Sequence, residues 1–244
     1  MTTTRKGPHN PGPHPHPHRP ALALPAGACD AHCHIFGPTN AFPYAPDRTF
    51  TPPEAPLTDL QALHGLLGLE RAVIVQSAAH GTDHASLEAA LAEGAGRYRG
   101  VALIRPDTSP AEMARLHEAG VRGARLRFTP HLGKAPSAEE IDTVVRLISP
   151  YGWHVALHVA GDGIAEHADL VRSLPLPVVI DHMARVELNR RYSNHPDQAN
   201  ALVRTLALAR AQPAHDTRAS VATTSGRSSP TRGRSGGRPG APPR

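Results

Sequence analysis

The chain of 244 residues is 39% hydrophobic and carries a formal net charge of +5, and it is long enough for one large domain with a substantial core. The basic excess lies at the two ends, in residues 1–20 and 211–244, which argues against a nucleic-acid-binding protein. No apolar run approaches the roughly 20 residues of a membrane span and no secretory signal is evident, so we expect a soluble cytoplasmic protein without nucleic-acid or membrane partners.

Residues 1–27 are predicted to form a disordered arm rich in proline and histidine, including "GPHNPGPHPHPHRP". Such a segment has too little apolar surface to offset the entropy that ordering would cost. Its His-Pro repeat offers weak transition-metal ligands, although a low-complexity origin is the favoured interpretation.

The first predicted strand lies in "ACDAHCHIFGP", directly after this arm. Since side chains alternate along a strand, Asp30, His32 and His34 should share one face, and the opposite face should be apolar. The simpler interpretation is a half-buried strand whose polar side faces water. Cys29 and Cys33 are too far apart along one strand for a disulfide, so we expect buried, reduced thiols.

Apolar runs and amphipathic stretches then alternate along the chain. Strands are predicted at residues 29–36, 71–78, 100–106, 122–128, 153–159 and 177–183. Helices are predicted at residues 57–69, 83–96, 109–120, 137–152 and 164–174. This alternation predicts βαβ units and a parallel sheet, with a (β/α)₈ TIM barrel as the leading fold and a doubly wound open sheet as the alternative.

Polar side chains at the predicted strand ends favour the barrel, because barrel active sites gather at the C-terminal ends of strands. The side chains at these ends are His32, His34, Ser77, Arg105, Arg125, Arg127, His158, Asp181 and His182. No glycine-rich phosphate loop follows the first strand, which argues against the open-sheet alternative.

Five separated motifs occur in an order that resembles one family. They are "DAHCHIFGP", "YAPDRTFTPPEA", "VQSAAHGTD", "GARLRFTPHLG" and "VVIDHMAR". Over residues 28–210 the chain resembles the amidohydrolase superfamily, in the metal-independent branch typified by 2-pyrone-4,6-dicarboxylate lactonase. The resemblance implies a (β/α)₈ barrel without a cofactor that hydrolyses a lactone or related cyclic acyl bond of an anionic small molecule.

The resemblance also implies roles for individual residues. His32, His34 and His182 would be catalytic and polarise the scissile carbonyl, while Arg125 and Arg185 would hold substrate carboxylates. Ser77, His131 and His158 would be further substrate-binding residues. The alternative for the two arginines is an ion pair at the barrel rim.

The chain departs from the family pattern at four substrate-contact positions. Where the pattern has Tyr, Ser, Arg and Tyr, this sequence has Phe50, Ala78, His131 and His158. Hydrogen-bond donors for a pyrone dicarboxylate are thereby lost or replaced. We therefore expect the reaction class to carry over but the named substrate to differ.

A zinc-dependent hydrolase or decarboxylase of the same superfamily is the second interpretation. Neutral imidazoles suit zinc, and four histidines could supply them: His32, His34, His158 and His182. A further Lys or Glu ligand and a carboxylate on a late strand are not evident, which favours the metal-free interpretation.

After a predicted helix at residues 196–210, residues 211–244 are rich in Arg, Gly, Pro, Ser and Thr and contain no Leu, Ile, Phe, Tyr or Trp. They are predicted to be a disordered tail that supplies neither further strands nor the Gly-x-Asp-Trp-Pro motif, which carries the general base in the family. We therefore expect a barrel domain at residues 28–210 truncated after about six βα units, for which a reading-frame shift near residue 211 is the favoured explanation. The expected product is an impaired hydrolase or an inert fragment.

Overall fold

Six parallel strands form one sheet in the computed structural model, which describes residues 11–160 and 163–185. The strands are β1 (Cys29–Cys33), β2 (Arg71–Val75), β3 (Tyr98–Ala102), β4 (Val121–Arg127), β5 (His154–His158) and β6 (Val178–Ile180). Their order in the sheet is the order in the chain, and each neighbouring pair is parallel. In a doubly wound sheet the order of the strands reverses at a switch point, and no such reversal occurs here. The observed order therefore excludes the open-sheet alternative and confirms six consecutive strands of a (β/α) barrel.

The first four helices that connect the strands fall where the sequence predicts them, and the fifth predicted helix is divided in two. They are α1 (Leu57–Leu67), α2 (Ala85–Glu93), α3 (Pro110–Ala119), α4 (Ala138–Ile148), α5 (Gly163–Glu166) and α6 (Ala168–Ser173). Ser109 caps α3, and Ser137 forms a capping box with Glu140 at the start of α4. These side chains satisfy backbone N–H groups that have no partner within the helix.

The predicted helix at 164–174 is instead two short helices, with a break at His167. The His167 ring packs 4.1 Å from the ring of Phe128, centroid to centroid. The helix predicted at 196–210 and the tail at 211–244 lie outside the described residues. Residues 11–27, from the predicted arm, contain no helix or strand.

The main core lies between the sheet and its helices. Large side chains that are fully buried there include Ile74, Leu87, Leu116, Trp153 and Leu157. Within the part of the chain that the structure describes, no helix is long and apolar enough to cross a bilayer.

The first strand departs from the simple alternation that its sequence predicts. The register of β1 against β2 shifts between Asp30 and Cys33. The Asp30 carboxylate lies 3.1 Å from Nε2 of His64 on α1 and so does not share the site of the two strand histidines, contrary to the prediction. Both thiols are free and Cys33 is buried as expected, but Cys29 is exposed, so the prediction of two buried thiols is wrong for Cys29.

Candidate active site

Four histidines from three separate segments meet at the C-terminal end of the sheet. His32 and His34 come from the end of β1, His158 ends β5, and His182 follows β6 in a 3₁₀ turn at Asp181–Arg185. The ring centroid of His32 is 5.1 Å from that of His34 and 4.6 Å from that of His182. The rings of His158 and His182 are 5.4 Å apart. The fold thus brings together the three predicted catalytic histidines and one predicted substrate-binding histidine.

Asp181 connects this cluster to a buried arginine. Its Oδ2 accepts a hydrogen bond of 2.7 Å from Nε of Arg125, and its Oδ1 lies 3.3 Å from Nδ1 of His32. The side chains of Arg125 and Asp181 are only 4% and 2% exposed. Burial alone would raise the pKa of Asp181, but the hydrogen bonds and charges of His32 and Arg125 outweigh it and lower that pKa. Asp181 is therefore an anion held between two donors.

The tautomer of His34 follows from a hydrogen bond of its Nδ1 atom. Its Nδ1 lies 2.7 Å from the carbonyl oxygen of Val75, and because a carbonyl oxygen only accepts, we assign the hydrogen to Nδ1. Burial lowers the pKa of His34 to about 4, even though this hydrogen bond opposes the shift. A neutral His34 in this form has a bare Nε2, which can accept a proton or bind a metal. In this form Nε2 would accept a hydrogen bond and not donate one, and the polarising role of His34 stays a prediction.

His158 and His32 also present nitrogen atoms without protein partners. Three buried ring nitrogens make no hydrogen bond among the described residues: Nδ1 and Nε2 of His158, and Nε2 of His32. Burial, assisted by the charge of Arg125, lowers the pKa of His158 to about 3. Partial burial and the neighbouring His32 lower the pKa of His182. The lowered pKa values keep His34 and His158 neutral at pH 7, beside the unpaired Nε2 of His32.

The other predicted substrate-binding residues differ in their surroundings. Arg185 is exposed at the end of the 3₁₀ turn. His131 is exposed, with its ring 6.4 Å from that of His158. Ser77 is buried, and its Oγ accepts the N–H of Ala79 at 3.2 Å. Arg125 forms the ion pair that the sequence analysis gave as the alternative, but the pair is deeply buried rather than at the rim.

One cluster of side chains at this site has the composition of a metal site. Ligand atoms of His32, Asp181 and His182 all lie within 4.8 Å of one another. This group differs from the predicted set of four histidines, because a carboxylate takes part and His34 and His158 do not. The sequence analysis named Asp181 among the polar side chains at strand ends but gave it no individual role; its position next to the predicted catalytic His182 was the available signal.

The histidines, a carboxylate and an arginine lie at the C-terminal ends of parallel strands, which is where (β/α) barrels carry their active sites. The Amidohydrolase family model matches residues 29–231, and the chain belongs to this family. The family predicted from the sequence is thereby confirmed.

The relatives of the chain include lactone hydrolases. It is 41% identical over 172 residues to 2-pyrone-4,6-dicarboxylate hydrolase of Comamonas testosteroni, a match that covers 70% of this chain and 56% of that protein. It is 36% identical over 177 residues to 4-sulfomuconolactone hydrolase of Rhizobium radiobacter, covering 72% and 59%. The chain therefore spans little more than half the length of these curated relatives.

A solved structure supports the same fold. The apo structure of an Agrobacterium tumefaciens protein superimposes with a TM-score of 0.62 at 27% identity, over 77% of this chain and 67% of that one.

Proposed function

We propose that this protein hydrolyses a lactone or related cyclic acyl bond in an anionic small molecule. The observation that carries the proposal is the connected set of Arg125, Asp181 and His32 beside neutral imidazoles at the barrel mouth. The names of the two hydrolase relatives, which refer to a dicarboxylate and a sulfonated lactone, support the substrate class.

In the proposed reaction His32 is the general base. Asp181 accepts the Nδ1–H of His32, which leaves a lone pair on Nε2 and stabilises the imidazolium that forms when Nε2 takes a proton from water. The resulting hydroxide attacks the acyl carbon, and the ring C–O bond breaks as His32 returns the proton to the leaving oxygen. His182, whose ring is 4.6 Å from that of His32, donates an N–H to the carbonyl oxygen. His32 thus takes a different role from the polarising one predicted from the sequence.

Turnover on a panel of lactones tests this proposal. Lactones with a carboxylate or sulfonate substituent should be opened, while the matched neutral lactones should react much more slowly. Proton release at constant pH measures each reaction. Absence of turnover on every anionic lactone in the panel would contradict the proposed function.

A zinc-dependent hydrolase of the same family is the second candidate function. The bare Nε2 of His32, with Asp181 and His182 nearby, fits the nitrogen and oxygen ligands that zinc prefers. A zinc ion there would polarise a carbonyl and acidify a bound water. In the metal-free proposal, chelator treatment should leave turnover unchanged and metal analysis should find no stoichiometric zinc. Loss of activity to chelator with recovery on adding zinc would favour the second candidate.

The exposed Arg185 is proposed to contact an anionic group of the substrate. Replacing it in Arg185→Ala should raise KM by about tenfold or more, because one charge-assisted hydrogen bond contributes about 1.5–3 kcal/mol. The matched control is Arg172→Ala, since Arg172 is 58% exposed and pairs with Asp169 on α6. Equal KM values for the two variants would show that Arg185 does not bind substrate.

The cellular compartment is proposed from the cysteines. Cys29 and Cys33 are both free thiols, and such thiols are typical of a reducing compartment. We therefore place the protein in the cytoplasm.

A further inference from the structure

A small basic pocket lies at the C-terminal ends of β3 and β4, beside the loop that leads to α4. Its volume is about 210 Å³. The charged side chains that line it are Arg105, Arg125, Arg127, Lys134 and Glu140. The pocket therefore has four cationic groups and one anionic group in its wall.

Two of these cations are already neutralised by nearby acids. Nε of Arg105 lies 2.8 Å from Oδ1 of Asp107, and Arg125 is paired with Asp181. The acid in the wall, Glu140, is held by the capping hydrogen bond from the N–H of Ser137. Glu140 keeps its negative charge, because the hydrogen bonds from Ser137 and then the nearby charge of Lys134 lower the pKa of Glu140. The four cations and the three acids Asp107, Asp181 and Glu140 therefore leave a net charge of +1 at the pocket.

Arg127 and Lys134 form no ion pair within residues 11–160 and 163–185. Arg127, the last residue of β4, is partly buried. Burial and then the like charge of Arg125 lower the pKa of Arg127, while the charge of Asp47 opposes that shift. A partly buried guanidinium without a paired anion is costly to desolvate. An anion that enters the pocket would offset that cost.

Arg125 links the pocket to the reacting groups. Its side chain contributes to the pocket wall, while its Nε bonds to the carboxylate that also contacts His32. A ligand anchored in the pocket would therefore extend toward the histidine cluster.

We propose that this pocket binds a carboxylate or sulfonate substituent of the substrate, with Arg127 as the main contact and Lys134 as a second one. The inference rests on the proposed function for one point, that the bound anionic group is part of the substrate. The planar fork of Arg127 can bind two oxygens of such a group at once, and Lys134 adds a mobile positive charge. Arg127 would thus determine specificity for anionic lactones.

Calorimetric titration of the full chain with succinate and with sulfate tests the pocket, with chloride at equal ionic strength as the reference. The wild-type chain should bind one equivalent of succinate or sulfate. Arg127→Gln should weaken that binding by about tenfold or more, Arg127→Lys by less, and Lys134→Gln by a smaller factor. The matched control is Arg146→Gln on α4, where the arginine is 63% exposed and pairs with Asp142.

Unchanged affinity in both Arg127→Gln and Lys134→Gln, or no binding of either anion to the wild-type chain, would overturn the pocket assignment. Lys134 is exposed, so Lys134→Gln provides the test if Arg127→Gln does not fold. Anion binding that depends on Arg127 without any lactone turnover would support the pocket while contradicting the proposed function. Turnover of anionic lactones, with no effect of Arg127→Gln on anion binding or on KM, would support the proposed function and contradict the pocket assignment.

Discussion

Replacing Asp181 with asparagine should lower the free energy of unfolding by about 3 kcal/mol and the rate of hydrolysis by about 10²- to 10⁴-fold. Asparagine keeps the shape of the side chain but removes its charge. The guanidinium of Arg125, only 4% exposed, would then be a buried cation without a counterion. His32 would lose the carboxylate that orients its ring and stabilises its protonated form. One substitution therefore affects both folding and the proposed chemistry.

Urea unfolding and lactone turnover of Asp181→Asn measure the two effects. The matched control is Asp169→Asn, because Asp169 also pairs with an arginine, Arg172, but is fully exposed. Surface pairs of this kind contribute about 1 kcal/mol or less, so this variant should keep wild-type activity and most of its stability. If Asp181→Asn behaved like the control, the buried pair would have neither role.

A double substitution separates the two causes of the loss. In Arg125→Met with Asp181→Asn, the unpaired cation is gone, so much of the lost stability should return while the catalytic defect remains. Recovery of activity together with stability would contradict the orienting role of Asp181.

The elements of the barrel could be predicted because their signals are local. The Ser137 and Glu140 spacing indicates a capping box before α4, and the chain places that capping box there. The alternation in β1 likewise predicts that His32 and His34 are close together, as their ring distance of 5.1 Å confirms. Local propensity and period are sufficient for both inferences.

Interactions that depend on register between strands could not be predicted in this way. Arg125 and Asp181 are 56 residues apart in sequence, and their pairing follows from where β4, β5 and β6 lie in the sheet. The tautomer of His34 depends on the carbonyl of Val75 in the neighbouring strand. The sequence predicts Asp30 on the same face as His32 and His34. The register of β1 against β2 shifts after Asp30, and an alternation of polar and apolar residues cannot indicate such a shift.

Acidification should destabilise the protein strongly, well above the pH at which carboxylates titrate. The folded state holds the pKa of His34 at about 4 and that of His158 at about 3, both mainly through burial, whereas an unfolded histidine titrates near 6.5. Between these values the unfolded chain binds more protons, so the stabilisation is present above about pH 6.5 and is lost as the pH falls toward 3. The lowered pKa of Asp181 adds a loss of the same sign at lower pH.

At pH 5 each of the two histidines should cost about 2 kcal/mol of unfolding free energy relative to neutral pH, which together is a large part of the stability of an ordinary domain. Urea unfolding at pH 7.5 and pH 5.0 measures the loss in the wild-type chain and in His158→Gln, which removes one titrating group and should reduce the loss by about 2 kcal/mol. The matched control is His131→Gln, at an exposed neighbour of His158, and it should keep the wild-type loss. Because the buried nitrogens of His158 have no hydrogen-bond partner among the described residues, we expect His158→Gln to change the slope of stability with pH more than its value at pH 7.5. An unchanged slope in that variant would mean that His158 is solvated well enough in the folded protein to titrate as it does in the unfolded chain.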